Sequence, residues 1–389
     1  MTAPALGEDR GYCFRGEEAR PPGKWALQEK ARNLLPEYKG LQRCCCTRQK
    51  GGAGVKVWKG NNGAWFTGLM QCGSVWVCPV CAGKVAEVRA TELQKGIDYA
   101  LFFGHGCLMV TLTFSHGRGD VLADTLAGQA KALRALKSGR AYQTLMREFG
   151  VLGEVRALEV THGNENGWHP HTHAITFTNS KLSATARFRF ECRLFVLWRA
   201  ACLKAGIGAP EFAHGIHVRS AKDAANYVAK WGFATEVTRS HIKTAKGKGR
   251  TPWQLLADAA AGDKRAAWLF REFAACFKGK RQLFYSRGLR QKIGLLDELT
   301  DQQSLELQPE EKTMVCEIDP DEWRMVIRFR ARADLLSAAM DGGEAVHLLL
   351  RVLRERTRAD IGTDGSYHRL DYLRAVNDGW GEVEHYAAA

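Results

Sequence analysis

No apolar run in this 389-residue chain approaches the roughly 18–20 residues needed to cross a bilayer. The best candidate, CLMVTLTF at 107–114, is the size of a strand. The opening segment carries charges where an export signal would have its apolar stretch. Membrane-spanning and secreted classes are set aside on these grounds, and a soluble cytoplasmic protein is expected. The chain also lacks a G-x-x-x-x-G-K-[ST] phosphate loop, so nothing in it reads as a nucleotide-driven motor. Internal repeats are absent, and 10 prolines, 40 glycines, 25% charged and 45% apolar residues exclude collagen-like, disordered and coiled-coil chains. The length suits two to three domains, each with its own core.

Acidic side chains are scarce over most of the chain. Positions 1–296 hold 45 Lys+Arg against 22 Asp+Glu, whereas 297–389 hold 11 against 20, within a total net charge of +14. A basic body with an acidic end points to a polyanionic partner, most simply nucleic acid.

Segment 1–40 is mixed and charged, carries Pro21–Pro22, and reads as an N-terminal arm. A Cys-rich module follows at 41–100, with a helical pattern from residue 84. In the central segment, 101–235, the expected order is a strand at 107–114, a helix over 120–149 breaking near Ser138–Gly139, and strands at 152–161 and 171–177. The link HGNENGWHP between the last two is rich in turn formers, which predicts an antiparallel hairpin. A long helix at 183–205 stopped by Gly206 or Gly208, a short strand at 215–219, and a helix at 220–231 capped by Ser220 complete it. This order predicts an α+β fold, a central antiparallel sheet with helices packed against it. Segment 236–296 is basic, and the acid-dense stretch that begins at 297 marks off a small separate C-terminal module, 297–389.

Twelve cysteines in a long chain without an export signal do not read as a disulfide framework. Six fall between Cys44 and Cys81, including the knuckle Cys78-Pro-Val-Cys81. With Cys72 and one of Cys44, Cys45 or Cys46, of which Cys46 is chosen, the knuckle can close a tetrahedral structural Zn²⁺ site. A redox C-x-x-C would open a helix after a buried strand in a βαβ unit, a pattern absent from this sequence.

The segment W-H-P-H-T-H at 168–173 carries the clearest chemistry. Side chains alternate along a strand, so His171 and His173 share a face and can chelate one ion. Glu159, on the preceding strand, is the expected third ligand. Two imidazoles and a carboxylate leave coordination positions open, as catalysis requires. The competing reading is a surface histidine cluster without function. In AKDAANYVAKW, Asp223, Tyr227 and Lys230 share one helical face. A phenol with a pKa of about 10 is a poor nucleophile until a cation helps it ionise, and such a helix is more often plain structure. The run KGKRQLFYSRGLRQK at 278–292 holds six bases and two aromatics without an acid. Lys278, Lys280, Arg281, Arg287 and Arg290 there suit a strand-tracking DNA surface, against the alternative of a solvated hairpin rim.

HPHTH followed some fifty residues later by Y-x-x-K, with MVTLTF upstream, resembles the three motifs of HUH endonucleases. With CGSVWVCPVCAGK and KRQLFYSRGLR added, the chain is most similar to single-tyrosine initiators (Rep proteins) of rolling-circle plasmids, over roughly residues 40–295. The resemblance implies an HUH-like catalytic domain preceded by a zinc-ribbon-like module. It implies that His171 and His173 bind Mg²⁺ or Mn²⁺, and that Tyr227 attacks a phosphate of single-stranded origin DNA. The products would be a 5′-phosphotyrosine link and a free 3′-hydroxyl, with Lys230 orienting water or phosphate. Related initiators often carry Glu one turn before the tyrosine; Asp223 stands here, one methylene shorter. A host helicase and DNA polymerase are implied partners, and homo-oligomerisation stays open. An HUH transposase or relaxase, or a non-enzymatic zinc-dependent DNA-binding regulator, are the rival readings.

Overall fold

The computed structural model describes residues 23–51, 54–220, 224 and 249–360. Two antiparallel sheets organise them. The first elements are α1 (Lys24–Leu34), α2 (Lys39–Arg43), β1 (Val55–Gly60), β2 (Gly63–Thr67) and α3 (Pro79–Phe102). The central sheet then draws on β3 (Gly106–Leu112), β4 (Val151–Gly163), β5 (Gly167–Thr178), β6 (Ile216–Arg219) and β7 (Leu283–Tyr285), in the order β6-β3-β5-β4-β7. Between these strands lie α4 (Leu122–Ser138), α5 (Arg140–Glu148), α6 (Ala184–Ala205), the turn-sized α7 (Phe212–Gly215), α8 (Pro252–Ala260) and α9 (Lys264–Phe277). Beyond β7 come α10 (Leu289–Lys292), α11 (Asp301–Glu306), β8 (Thr313–Ile318), α12 (Pro320–Arg328), α13 (Arg332–Asp341) and α14 (Gly343–Asp360).

The α+β class and most central elements match the expected order, and local chemistry explains their ends. The Ser183 hydroxyl accepts from the Ala186 amide at the start of α6, and Gly206 ends that helix in the left-handed region at φ 79°. Gly139 separates α4 from α5 as an extended residue. The hairpin strands run further than expected, pairing as far as Gly163↔Gly167, so most of the anticipated link is strand. Gly167 sits at φ 68° with the Arg118 backbone 3.1 Å from where a Cβ would lie, which leaves glycine as the residue that fits.

Alternation gives the central sheet two dry faces. Leu108, Val110, Leu112 and Ala174 pack against α4, α5 and α6. Cys107, Met109, Val155, Ala157, Ile175 and Phe177 form the other face, covered by Leu93, Ile97 and Ala100 of α3 and by Leu289 and Ile293. Ala224, the sole described residue between 221 and 248, is helical and buried in this second cluster.

Two boundary expectations do not survive. The arm expected at 1–40 is helical from Lys24, with Leu27 and Ala31 of α1 fully buried. The acidic C-terminal segment is not separate, because β8 pairs antiparallel with β1 in the sheet β2-β1-β8. One core joins α1, the cysteine segment, α8, α9 and α12 to α14. Trp323 of α12 donates its indole N–H to the Cys46 carbonyl at 2.7 Å and meets Phe66 edge-on at 5.1 Å. Arg332, fully buried, reaches Gln28 Oε1 at 2.9 Å and Glu29 Oε1 at 3.1 Å, with its guanidinium 4.7 Å from the Trp25 ring centre. Among the described residues, Glu306, Glu310, Glu311, Glu317, Asp319 and Asp321 are exposed, while the apolar side chains of the segment close the N-terminal core. Trp323→Ala should therefore shift the unfolding of the N-terminal and C-terminal segments together, by about 3–5 kcal/mol. Chemical denaturation followed by hydrogen exchange checks this; a C-terminal segment that unfolds alone would contradict the shared core.

Candidate functional site

The β4–β5 register sets Glu159 directly opposite His171, and His173 opposite Ala157. Glu159 Oε2 lies 3.4 Å from His171 Nε2 and 3.5 Å from His173 Nε2, and the three ligand atoms form one group able to hold a metal ion. Both rings are turned by their other nitrogens. His171 Nδ1 donates to the His169 carbonyl at 3.1 Å, and His173 Nδ1 lies 2.9 Å from Thr111 Oγ1 of β3. This leaves each Nε2 aimed at the carboxylate, the outer-shell arrangement that fixes ligating imidazoles.

His169 also lies within β5, opposite Thr161, rather than in a loop. Its ring stacks on His116 at 4.5 Å and leans on His171 at 5.2 Å. Burial, followed by the neighbouring imidazoles His171, His116 and His173, lowers the His169 pKa to about 4. Burial likewise lowers that of His173, although the Glu159 charge opposes it. For His171, burial disfavours the cation, but the hydrogen bond and charge of Glu159 outweigh it and the pKa is raised. Glu159 favours the protonated form of His171, so an ion entering the Glu159–His171–His173 group would compete with that proton. Affinity for Mn²⁺ should rise as pH climbs through the imidazole range, and titration calorimetry giving a flat profile would contradict this.

The cysteines form the second cluster. Cys44, Cys72, Cys78 and Cys81 bring their sulfurs within 4.8 Å of one another, with Sγ–Sγ separations of 3.4 Å (Cys44–Cys81), 3.7 Å (Cys44–Cys78) and 3.8 Å (Cys72–Cys81). A tetrahedron with Zn–S bonds of about 2.3 Å has edges of about 3.8 Å, so the four sulfurs fit that ion. Cys78 caps α3, and its sulfur accepts from the Cys81 amide at 3.5 Å and from Gln28 Nε2 at 3.2 Å. Hydrogen bonds from Cys45, and then from Cys72, Cys78 and Cys81, hold the Cys44 thiol far below its ordinary range despite burial.

The expected fourth member, Cys46, is corrected to Cys44. Helix α2 ends at Arg43, so Cys44 points inward, and Cys45 at φ 54° then swings the chain round. Cys46 Sγ ends up accepting from Arg332 Nη1 at 3.6 Å, outside the cluster. Metal analysis should find that Cys44→Ser loses one tightly held zinc per chain and that Cys46→Ser keeps it; the reverse result would contradict this arrangement.

The basic run divides. Lys278, Lys280, Arg281 and Arg287 are exposed, with Arg281 making a loose 3.6 Å pair to Glu298 and Lys278 lying 5.5 Å from the Tyr38 ring centre. Arg290 faces inward: it bonds Glu92 Oε2 at 3.1 Å and the Leu296 carbonyl at 2.7 Å, and covers the Tyr285 ring at 4.8 Å. Its place among DNA-contacting residues is withdrawn, because its guanidinium is fully engaged in holding β7 and α10 to α3. The run is also a short edge strand and a helical turn rather than a hairpin. Asp223, Tyr227 and Lys230 lie outside the described residues.

Sequence reasoning missed Thr111 as the partner of His173, although the Thr-rich strand containing it was noted. It also missed a cleft along β4 of about 700 Å³ of empty space, open to solvent and bordered by Glu159, Trp76 and Trp253. The tryptophans sit on separate segments, so spacing carries no signal for it.

An antiparallel sheet with a His-His-Glu cluster, joined through α3 to a four-cysteine cluster, defines a protein with two candidate metal centres. No helix among the described residues is long and apolar enough to cross a membrane. The chain belongs to the Rep_1 replication-protein family, whose model matches residues 69–335. It is 29% identical over 365 residues to "Protein rep" of Streptomyces lividans, covering 77% of each chain. A shorter likeness, 30% over 138 residues, links 29% of this chain with 32% of a "Neomycin resistance protein" of Streptomyces cyanogenus. No solved structure matches the chain.

Proposed function

We propose that this protein nicks and rejoins single-stranded origin DNA, with Tyr227 as nucleophile and a divalent cation at Glu159–His171–His173, and so starts rolling-circle replication of a plasmid. Membership of a replication-protein family supports the role, and the convergence of Glu159, His171 and His173 carries the chemistry. A mixed imidazole–carboxylate site suits Mn²⁺ or Mg²⁺, with availability deciding between them. When bound, the ion supplies Lewis acidity to a phosphate oxygen.

Tyr227 Oη attacks phosphorus as its proton leaves, and the bond from phosphorus to the 3′-oxygen breaks. The 5′-phosphate is then held on tyrosine, and the 3′-oxygen takes up a proton to become a primer for a host polymerase. One phosphoester replaces another, so no ATP is needed, in keeping with the missing phosphate loop. Lys230 pairs with phosphate oxygen, and Asp223 activates the water that ends the cycle by hydrolysis. Ala224, three residues before Tyr227, is buried in the apolar cluster that also holds Met109 and Ile175, on the face of the sheet that carries His171 and His173, which favours this reading. Cys44, Cys72, Cys78 and Cys81 hold structural Zn²⁺. The basic residues Lys278, Lys280, Arg281 and Arg287 contact DNA phosphates, and strand opening falls to a host helicase.

With Mn²⁺ and labelled single-stranded origin DNA, the wild type should form a covalent protein–DNA adduct that Tyr227→Phe and chelation abolish. Asp223→Ala should form the adduct normally and release it slowly. An adduct persisting in Tyr227→Phe would assign the nucleophile elsewhere, and a wild type that never forms one would favour a DNA-binding regulator.

A further inference from the structure

The cleft shares Glu159 with the His-His-Glu cluster but is walled mainly by other residues, and its construction is specific. One wall is Trp253, at the second position of α8, where a capping box between Thr251 and Gln254 holds the helix start. That start is tied to β4, because Arg250 exchanges two backbone hydrogen bonds of 2.8 Å with His162 and its side chain reaches Asp258 at 3.0 Å. Trp76 borders the cleft too, with its indole N–H donated to the Lys280 carbonyl at 2.7 Å and its ring against Phe277 at 4.7 Å. Phe273 and Ala86 supply apolar surface, while Thr161 and Gln282 add polar groups. Both indoles are half-buried, and Trp76 is held by its hydrogen bond and by Phe277, so a flat ligand meets preformed apolar surface.

Position and charge select the ligand. Glu159 lines the cleft and also belongs to the metal cluster, so a phosphate seated at that cluster places its own nucleoside at the cleft mouth. The exposed bases Lys278, Lys280 and Arg281 lead straight into Gln282 on the cleft wall. Aromatic surface beside a basic track suits stacking of unpaired bases with pairing of their phosphates.

We infer that the Trp76–Trp253 cleft is a nucleobase site, which seats an unpaired base of the DNA strand whose phosphate lies at Glu159–His171–His173. The inference rests on the nicking reading for the position of that phosphate, while base binding itself is measurable without nicking. Filling the cleft locks the strand across the β4 edge before the reaction begins.

The test uses the zinc-loaded full chain without added Mn²⁺ or Mg²⁺, and two fluorescein-labelled probes of equal length and charge, an oligothymidine and its wholly abasic counterpart. Wild type should bind the oligothymidine more tightly. Trp76→Ala with Trp253→Ala should weaken that binding about tenfold and leave abasic binding unchanged. A second variant, Thr161→Trp, fills the cleft without truncating its walls and should produce the same selective loss. Equal binding of both probes by wild type, or an equal loss on both in Thr161→Trp, would overturn the inference. Adduct formation with Mn²⁺ is scored separately: an adduct without base-selective binding removes the cleft alone, and base-selective binding without an adduct removes the nicking reading alone.

Discussion

One cross-strand pairing, Glu159 opposite His171, underlies the rest of the site. Its force lies in the two-residue period of a strand: a slip of one position in the β4–β5 register would turn Glu159 to the opposite face of the sheet from the two imidazoles. Several features hold the register. Gly167 allows the tight return, Ile175 and Phe177 bury the same face further along, and Trp168 ties the turn end to α9 through a 2.9 Å bond to Glu272. The chelating face is thereby continuous with a dry core, and its geometry is as firm as that core.

Helix α3 carries this rigidity to the cysteines. Cys78 is its N-cap and its first turn holds Cys81, and its later turns bury Leu93 and Ile97 on the sheet face that bears His171 and His173. The Cys44–Cys72–Cys78–Cys81 cluster in turn sits on a polar scaffold. Gln28 bonds Cys78 Sγ, Arg32 bonds the Cys44 carbonyl at 2.5 Å, and Arg332 reaches the Cys45 carbonyl at 3.3 Å. Buried guanidinium groups are costly unless well paired, and here they join the N-terminal helix, the cysteine loop and the C-terminal helices. A metal held by these cysteines would act on the whole N-terminal core, including the helix that backs the face bearing Glu159, His171 and His173.

Much of this was legible in the amino acids, because it depends on local rules. Strand alternation places His171 and His173 together, Ser183 and Gly206 announce the ends of α6, and Gly139 interrupts the helix pair. The failures depend on contacts distant in sequence or on a single dihedral. Cys44 and Cys45 are both buried, and which of the three adjacent cysteines joins Cys72, Cys78 and Cys81 depends on a chain turn at Cys45, where φ is positive. The pairing of β8 with β1 spans most of the chain, and acidic composition hid it because the apolar half of that segment faces inward. Arg290 looked like its basic neighbours, and only the position of Glu92 on α3 shows why it differs.

The proposed chemistry requires one ion held jointly by a carboxylate and two imidazoles. Crystals soaked in Mn²⁺ and measured for anomalous scattering test this most directly. The expected result is a peak within bonding distance of Glu159 Oε2, His171 Nε2 and His173 Nε2. A well-ordered site with no peak there, or an ion bound away from these three atoms, would contradict it.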